Sequence, residues 1–138
     1  ADDSCWIHRP EMPWSLAAQR SLDGTVEHRM FTTIREYVEI RCNEPAMSAG
    51  GELWIQPYPD TAVLGWVRRH PYHGRFLGLA NFANREARVP SDSLRLAGLI
   101  DPQLVLGEPR FDGGHVVLPP YGMAWYVDRT DSVLQPPA

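Results

Sequence analysis

The sequence predicts a mainly β protein, an antiparallel β-sandwich preceded by an irregular segment and one long helix. Three observations predict it. Apolar residues recur at three and four spacing up to Cys42 and at a spacing of two from Gly50 onward. The later part breaks into short apolar runs separated by Gly and Pro turns, the pattern of strands joined by tight connections. Thirteen prolines and eleven glycines in 138 residues supply many turns without reaching a low-complexity or collagen-like composition.

The elements follow in order. Residues 1–24 open with Trp6, His8, Arg9, Pro10, Pro13 and Trp14, and the two prolines keep Glu11 and Met12 out of a regular helix. A short helical piece is expected over Ser15–Arg20 with Ser15 as its cap, and Asp23-Gly24 marks a turn. The long helix is expected over Thr25–Cys42. Thr25 is a good N-cap, Glu27 suits the positive end of the helix dipole and Arg41 the negative end. Met30, Phe31, Ile34, Tyr37 and Val38 lay one apolar stripe along this helix, Arg35, Glu36 and Glu39 face water, and Pro45 closes the element. Strands are expected over Leu53–Ile55, Ala62–Arg69 and Arg75–Ala83, the last two joined by an exposed hairpin loop from His70 to Gly74. Phe76-Leu77-Gly78-Leu79 is nearly continuous, which predicts a central strand. Shorter strands are expected at Ala87–Val89, Leu94–Leu96, Leu104–Leu106, Val116–Leu118 and Met123–Val127, for seven or eight strands between Glu52 and Val127. The tail from Arg129 is expected to fray.

Composition narrows the function classes. Hydrophobic residues at 43% and charged residues at 22% describe an ordinary globular domain. A net charge of −4 gives no electrostatic footprint for nucleic acid. No apolar run approaches the ~20 residues of a membrane span. The acidic and polar start, Ala1-Asp2-Asp3-Ser4, does not read as a signal peptide, so a cytoplasmic location is expected. All thirteen basic residues are Arg, a usage that a GC-rich coding sequence explains without a functional cause. Cys5 and Cys42 are too few for a disulfide framework, and two free thiols is the more economical reading.

The search for chemistry is mostly negative. His70 and His73 have a spacing that can hold zinc, but no second ligand pair accompanies them, and they read as loop histidines. Cys5 and His8 have no third group to orient them as nucleophile and base. Ser48-Ala49-Gly50-Gly51 is a turn, not a phosphate loop, since no Lys exists to complete one. Asp2, Asp3, Asp23, Glu27, Glu36 and Glu39 are scattered through the first third, and no carboxylate is expected in a strand end where a shielded general acid would be built. Of five tryptophans, Trp66 and Trp125 are expected in the core, while Trp54 stands open between the core and a sugar-stacking platform.

Several motifs in sequence order carry a resemblance to a known family. The opening, Asp3-Ser4-Cys5-Trp6-Ile7-His8-Arg9-Pro10, resembles the segment near the end of the catalytic barrel in amylosucrases of the α-amylase superfamily, glycoside hydrolase family 13. The helix with Glu27, Arg29, Phe31, Ile34 and Arg41 before Glu44-Pro45-Ala46 is similar to that family's last barrel helix. Val63-Leu64-Gly65-Trp66-Val67-Arg68 and Leu77-Gly78-Leu79-Ala80-Asn81-Phe82 resemble the first strands of its C-terminal sandwich, and Leu118-Pro119-Pro120-Tyr121-Gly122-Met123-Ala124-Trp125 resembles the closing strand.

The resemblance implies a fold of the α-amylase C-terminal type, with residues 1–46 ending a (β/α)8 barrel, 47–128 forming the sandwich and 129–138 a tail. It implies a non-catalytic part of a larger α-glucan-active enzyme, because the family's nucleophilic Asp, general-acid Glu and second Asp lie on barrel strands upstream. A barrel needs roughly 250 residues and retaining cleavage needs two closely placed carboxylates, so this chain is expected to turn over no sugar unaided and to need no cofactor or metal. The implied partners are the catalytic barrel of the same polypeptide and, through it, α-glucan or sucrose. Cys5, His8 and Arg9 fall where the family lines the glucose pocket. The family has Arg at the position of Cys5, and a thiol cannot make that bidentate contact, which leaves the parent open between a hydrolase and another transglucosylase. An isolated chain is also expected to pair with a second copy through the stripe of the helix 25–42. Two other readings are an autonomous carbohydrate-binding module using exposed tryptophans, and a protein-interaction β domain with no link to sugar.

Overall fold

The structure, a computed structural model, describes residues 11–130. It divides into two compact units, with the boundary between Glu39 and Ile40. The expected fraying of the tail beyond Thr130 lies outside the described residues.

In the first unit α1 spans Trp14–Ala17 and runs on as a 3₁₀ turn over Ala18–Ser21. Ser15 does not cap it. The helix begins one residue earlier, so Ser15 lies inside the first turn, and the Pro13 carbonyl accepts the amides of Leu16 and Ala17. Gly24 takes the Asp23-Gly24 turn at φ +82°, a conformation that only glycine adopts without strain. Helix α2 spans Val26–Asn43, and Thr25 caps it as expected, its Oγ1 accepting the His28 amide at 3.1 Å. The stripe is present but uncovered: Met30, Phe31, Ile34 and Val38 are each 43–57% exposed. The guanidinium groups of Arg20 and Arg35 each lie 5.8 Å from the Phe31 ring centre.

The second unit holds eight strands among the described residues: β1 Glu52–Gln56, β2 Val63–His70, β3 Gly74–Asn81, β4 Ala87–Pro90, β5 Gln103–Leu106, β6 Arg110–Asp112, β7 His115–Leu118 and β8 Met123–Asp128. All pairings are antiparallel. A five-stranded sheet runs β1-β2-β3-β8-β5 and a three-stranded sheet β4-β7-β6. β3, which carries the continuous Phe76–Leu79 run, takes the middle of the larger sheet as expected. The two sheets share one core: Val63, Val67, Leu77, Leu79, Ala124 and Tyr126 from the larger, Ala87, Val89, Val116 and Leu118 from the smaller.

One expected strand fails, and one observed strand lies outside those expected. Leu94–Leu96 is not a strand but part of helix α3, Asp92–Leu96. Leu94 and Ala97 are buried while Leu96 is 79% exposed, which is helical spacing, and Gly98 at φ +83° ends the turn. Strand β6 has no alternating apolar signal, because its one large apolar side chain, Phe111, faces out. Its hairpin with β7 turns on Gly113 and Gly114, both at positive φ, between the paired Asp112 and His115.

A third correction concerns carboxylates. Asp128 ends β8 and is wholly buried, against the expectation that no strand end holds one. Its Oδ2 accepts the amides of Ile100 and Asp101, the latter at 2.9 Å, and its Oδ1 accepts the amide of Thr130 at 2.8 Å and the Thr130 hydroxyl. Burial pushes this carboxyl up, but the Thr130 hydroxyl and the three amides outweigh it and bring it to about 2. The group is a latch between β8 and the loop that follows α3. Its folded value lies below the ordinary 3.8, so its contribution, about 2 kcal/mol, is in place above pH 4 and is lost as pH falls through 2. Urea melts at stepped pH should show Asp128→Asn less stable than wild type by about that amount at pH 7. Between pH 4 and 2 the variant should lose less stability than the wild type.

Candidate docking surface

Within a strand, alternate side chains share a face, and directly paired residues on neighbouring strands share it too. The register therefore assigns the outer face of the five-stranded sheet, the face turned away from the shared core. One row crosses all five strands: Ile55, Trp66, Gly78, Trp125 and Leu106. The next row is Leu53, Arg68, Phe76, Val127 and Gln103, and a third joins Leu64, Ala80 and Met123. Antiparallel sheets that face water on one side alternate apolar with polar. Here the outer face is almost as apolar as the core face.

Its aromatic side chains fit together around one glycine. Phe76 lies 6.1 Å from Trp66 and 5.7 Å from Trp125, ring centre to ring centre. The Trp66 indole lies across Gly78, where a Cβ would come within 2.2 Å of the ring. Trp125 is buried and Trp66 half-buried, but both lie on the outer face and not in the expected sandwich core.

The chain covers one end of this face. A 3₁₀ turn over Pro45–Met47 packs on β2 and β3, with Ala46 and Met47 buried. Arg68 reaches up from the face and donates to the carbonyls of Met47 at 2.6 Å and Ser48 at 2.7 Å. Glu44, buried, caps the turn through the Ala46 amide and pairs with Arg129 at 2.6 Å, while Arg129 also donates to Gln103. Beyond that cover the face is open only on β1 and β2, where Leu53 is 63% and Ile55 59% exposed and Leu64 is exposed as well, whereas Ala80, Leu106 and Trp125 are buried. An apolar surface of this kind marks an interaction site.

The other candidates lead elsewhere. Cys5, His8 and Arg9 lie outside the described residues, as does Trp6. Cys42 is an exposed free thiol. His70 is not a loop residue: it is buried at the end of β2, because β2 runs one residue further than expected. Its Nδ1 accepts the Tyr72 amide, which leaves the proton on Nε2 to donate to the Ala49 carbonyl at 3.1 Å, and its ring stacks on His73 at 4.4 Å. Both ring nitrogens are used in holding the hairpin. Among the described residues no three His, Cys, Asp or Glu side chains gather as a metal site, and no helix is long and apolar enough to cross a membrane. Trp54 is 37% exposed and faces the core side of β1, opposite to Trp66, so the two do not form one platform.

The alternating pattern of β2 together with the continuous run of β3 held the signal for a two-faced sheet; what sequence could not supply was the register that aligns the rows. Comparison adds no family: no protein-family model matches the chain, and no curated protein matches it.

The packing makes a paired expectation for urea melts. Gly78→Ala, which drives a methyl into Trp66, should cost about 1–3 kcal/mol. Ile55→Thr, on the open part of the same face, should cost less than about 0.5 kcal/mol. Equal costs would mean that the face is covered throughout.

Proposed function

We propose that this chain is the non-catalytic C-terminal part of an α-glucan-active enzyme resembling the amylosucrases, a glycoside hydrolase or glucosyltransferase, and that it stabilises the catalytic barrel of the same polypeptide. The observation that carries the reading is the open apolar margin of the outer face of the five-stranded sheet, Leu53, Ile55 and Leu64. A free-standing β domain gains nothing from such a face; a domain that covers another body needs one. The uncovered stripe of α2 supports the reading independently, since a last barrel helix would present that stripe to barrel strands. The opening run with Cys5, His8 and Arg9 would then reach the sugar pocket of the parent, where the family's Arg position is filled by a thiol. The sandwich type and the cytoplasmic setting belong to the same proposal.

The chain's buried carboxylates support a non-catalytic role. Asp128 and Glu44 are both committed to fixed partners. A second reading, a carbohydrate-binding module, draws on the exposure of Trp54 and Trp14. Trp54 and Trp66 point to opposite faces of one sheet, which favours the structural role.

Incubation of the purified chain with sucrose, maltooligosaccharides and glycogen separates these readings. The expected result is no turnover above a buffer control and no retardation in glycogen-containing gels. Turnover lost on mutating a carboxylate of this chain would overturn the proposal. Retardation abolished by Trp54→Ala would establish the binding-module reading in its place.

A further inference from the structure

Strand β1 is the margin of the five-stranded sheet. It pairs with β2 on one side, and among the described residues no strand pairs with its other side. An edge strand offers a row of unpaired backbone groups, and proteins guard such rows with charge, proline, bulges or brevity. The other three sheet edges of the second unit are guarded. β5 is irregular between Leu104 and Leu106. β4 ends in Pro90 and exposes Arg88. β6 has three residues, of which Arg110 and Asp112 are charged. β1 keeps regular register over all five residues, contains no proline, and carries its one charge at its first position. Its central residues Leu53, Trp54 and Ile55 are all exposed.

We infer that β1 pairs with β1 of a second copy of this chain, antiparallel about a two-fold axis at Trp54, joining two five-stranded sheets into one. The strand is complementary to itself in that register. Leu53 falls opposite the partner's Ile55, Trp54 opposite the partner's Trp54, and Glu52 opposite the partner's Gln56. The one carboxylate of the strand thus meets an amide and not its own copy, while the apolar pairs meet on matching faces. Direct cross-strand pairs of this kind stabilise antiparallel ladders, and the two-fold axis makes the Leu53–Ile55 and Glu52–Gln56 pairs twice. A slip of one residue would send the apolar side chains of one copy to the opposite face from those of the other. The pairing uses the edge of the sheet, whereas the barrel reading uses its outer face, so either can fail without the other.

Sedimentation of the 138-residue chain over concentrations up to about 1 mM tests it, since a small interface associates weakly. The wild type should show a monomer–dimer equilibrium. Trp54→Lys and Trp54→Glu each set like charges opposite one another and should weaken the dimer at least about tenfold. An equal mixture of the W54K and W54E proteins should recover it as a heterodimer, which also shows that both variants fold. Leu64→Glu on the outer face, and Phe31→Glu with Ile34→Glu on α2, should leave the dimer intact. A wild-type chain that stays monomeric, W54K and W54E proteins that dimerise unchanged, or a mixture that stays dissociated would overturn the inference. So would loss of the dimer in the Leu64 or α2 variants, which would move the interface to the outer face or to the helix.

Discussion

The second unit depends on a sheet that is apolar on both faces. Burial of apolar area is the main favourable term in folding, at roughly 25 cal/mol per Å², and a two-faced sheet can collect it twice if it has two covers. The three-stranded sheet and α3 are the first cover. The turn at Pro45–Met47 is a partial second one, and it leaves Leu53, Ile55 and Leu64 open. That shortfall, more than any cluster of reactive groups, is what the chain offers as a clue to its use.

The polar side chains serve this arrangement. Arg68 spends its fork on two carbonyls of the covering turn, and Arg129 joins Gln103 on β5 to the buried Glu44 beside that turn. Arg85 grips Asp60 with both nitrogens at 2.7 and 2.9 Å. A planar guanidinium can hold two oxygens at once where an ammonium acts as a point charge. The all-Arg basic set therefore has structural uses here, whatever coding bias produced it. Asp128 and His70 do the same at this end of the sheet. Asp128 draws the loop after α3 onto β8, and His70 ties the β2–β3 hairpin to the segment entering β1.

Much of this was legible in the residues. The change of period between Cys42 and Gly50 separated the long helix from the strands, and the Phe76–Leu79 run named the central strand. Failures came where tertiary context outweighs local pattern. Leu94 and Leu96 look alternating in isolation, and only the burial of Ala97 shows that the true spacing is three. Phe111 gives β6 no inward apolar partner, although Asp112-Gly113-Gly114 was a readable turn signal. Asp128 carries no local signal, since nothing near it in sequence announces that two amides from residues 100 and 101 will close on it. The docking face was half legible: all of its residues but Gln103 were identified as strand, but a face is a property of register, and register is set by pairing across distant segments.

The central claim is that the outer face of the five-stranded sheet is built to be covered by a further part of the same polypeptide. Hydroxyl-radical footprinting read by mass spectrometry tests it most directly. It would compare the dilute 138-residue chain with the polypeptide translated from its whole reading frame. In the short chain Ile55, Leu64, Trp66 and Met123 should oxidise readily while Phe76 is protected, and in the longer one all five should be protected. Equal oxidation of Ile55, Leu64 and Trp66 in both would contradict the account.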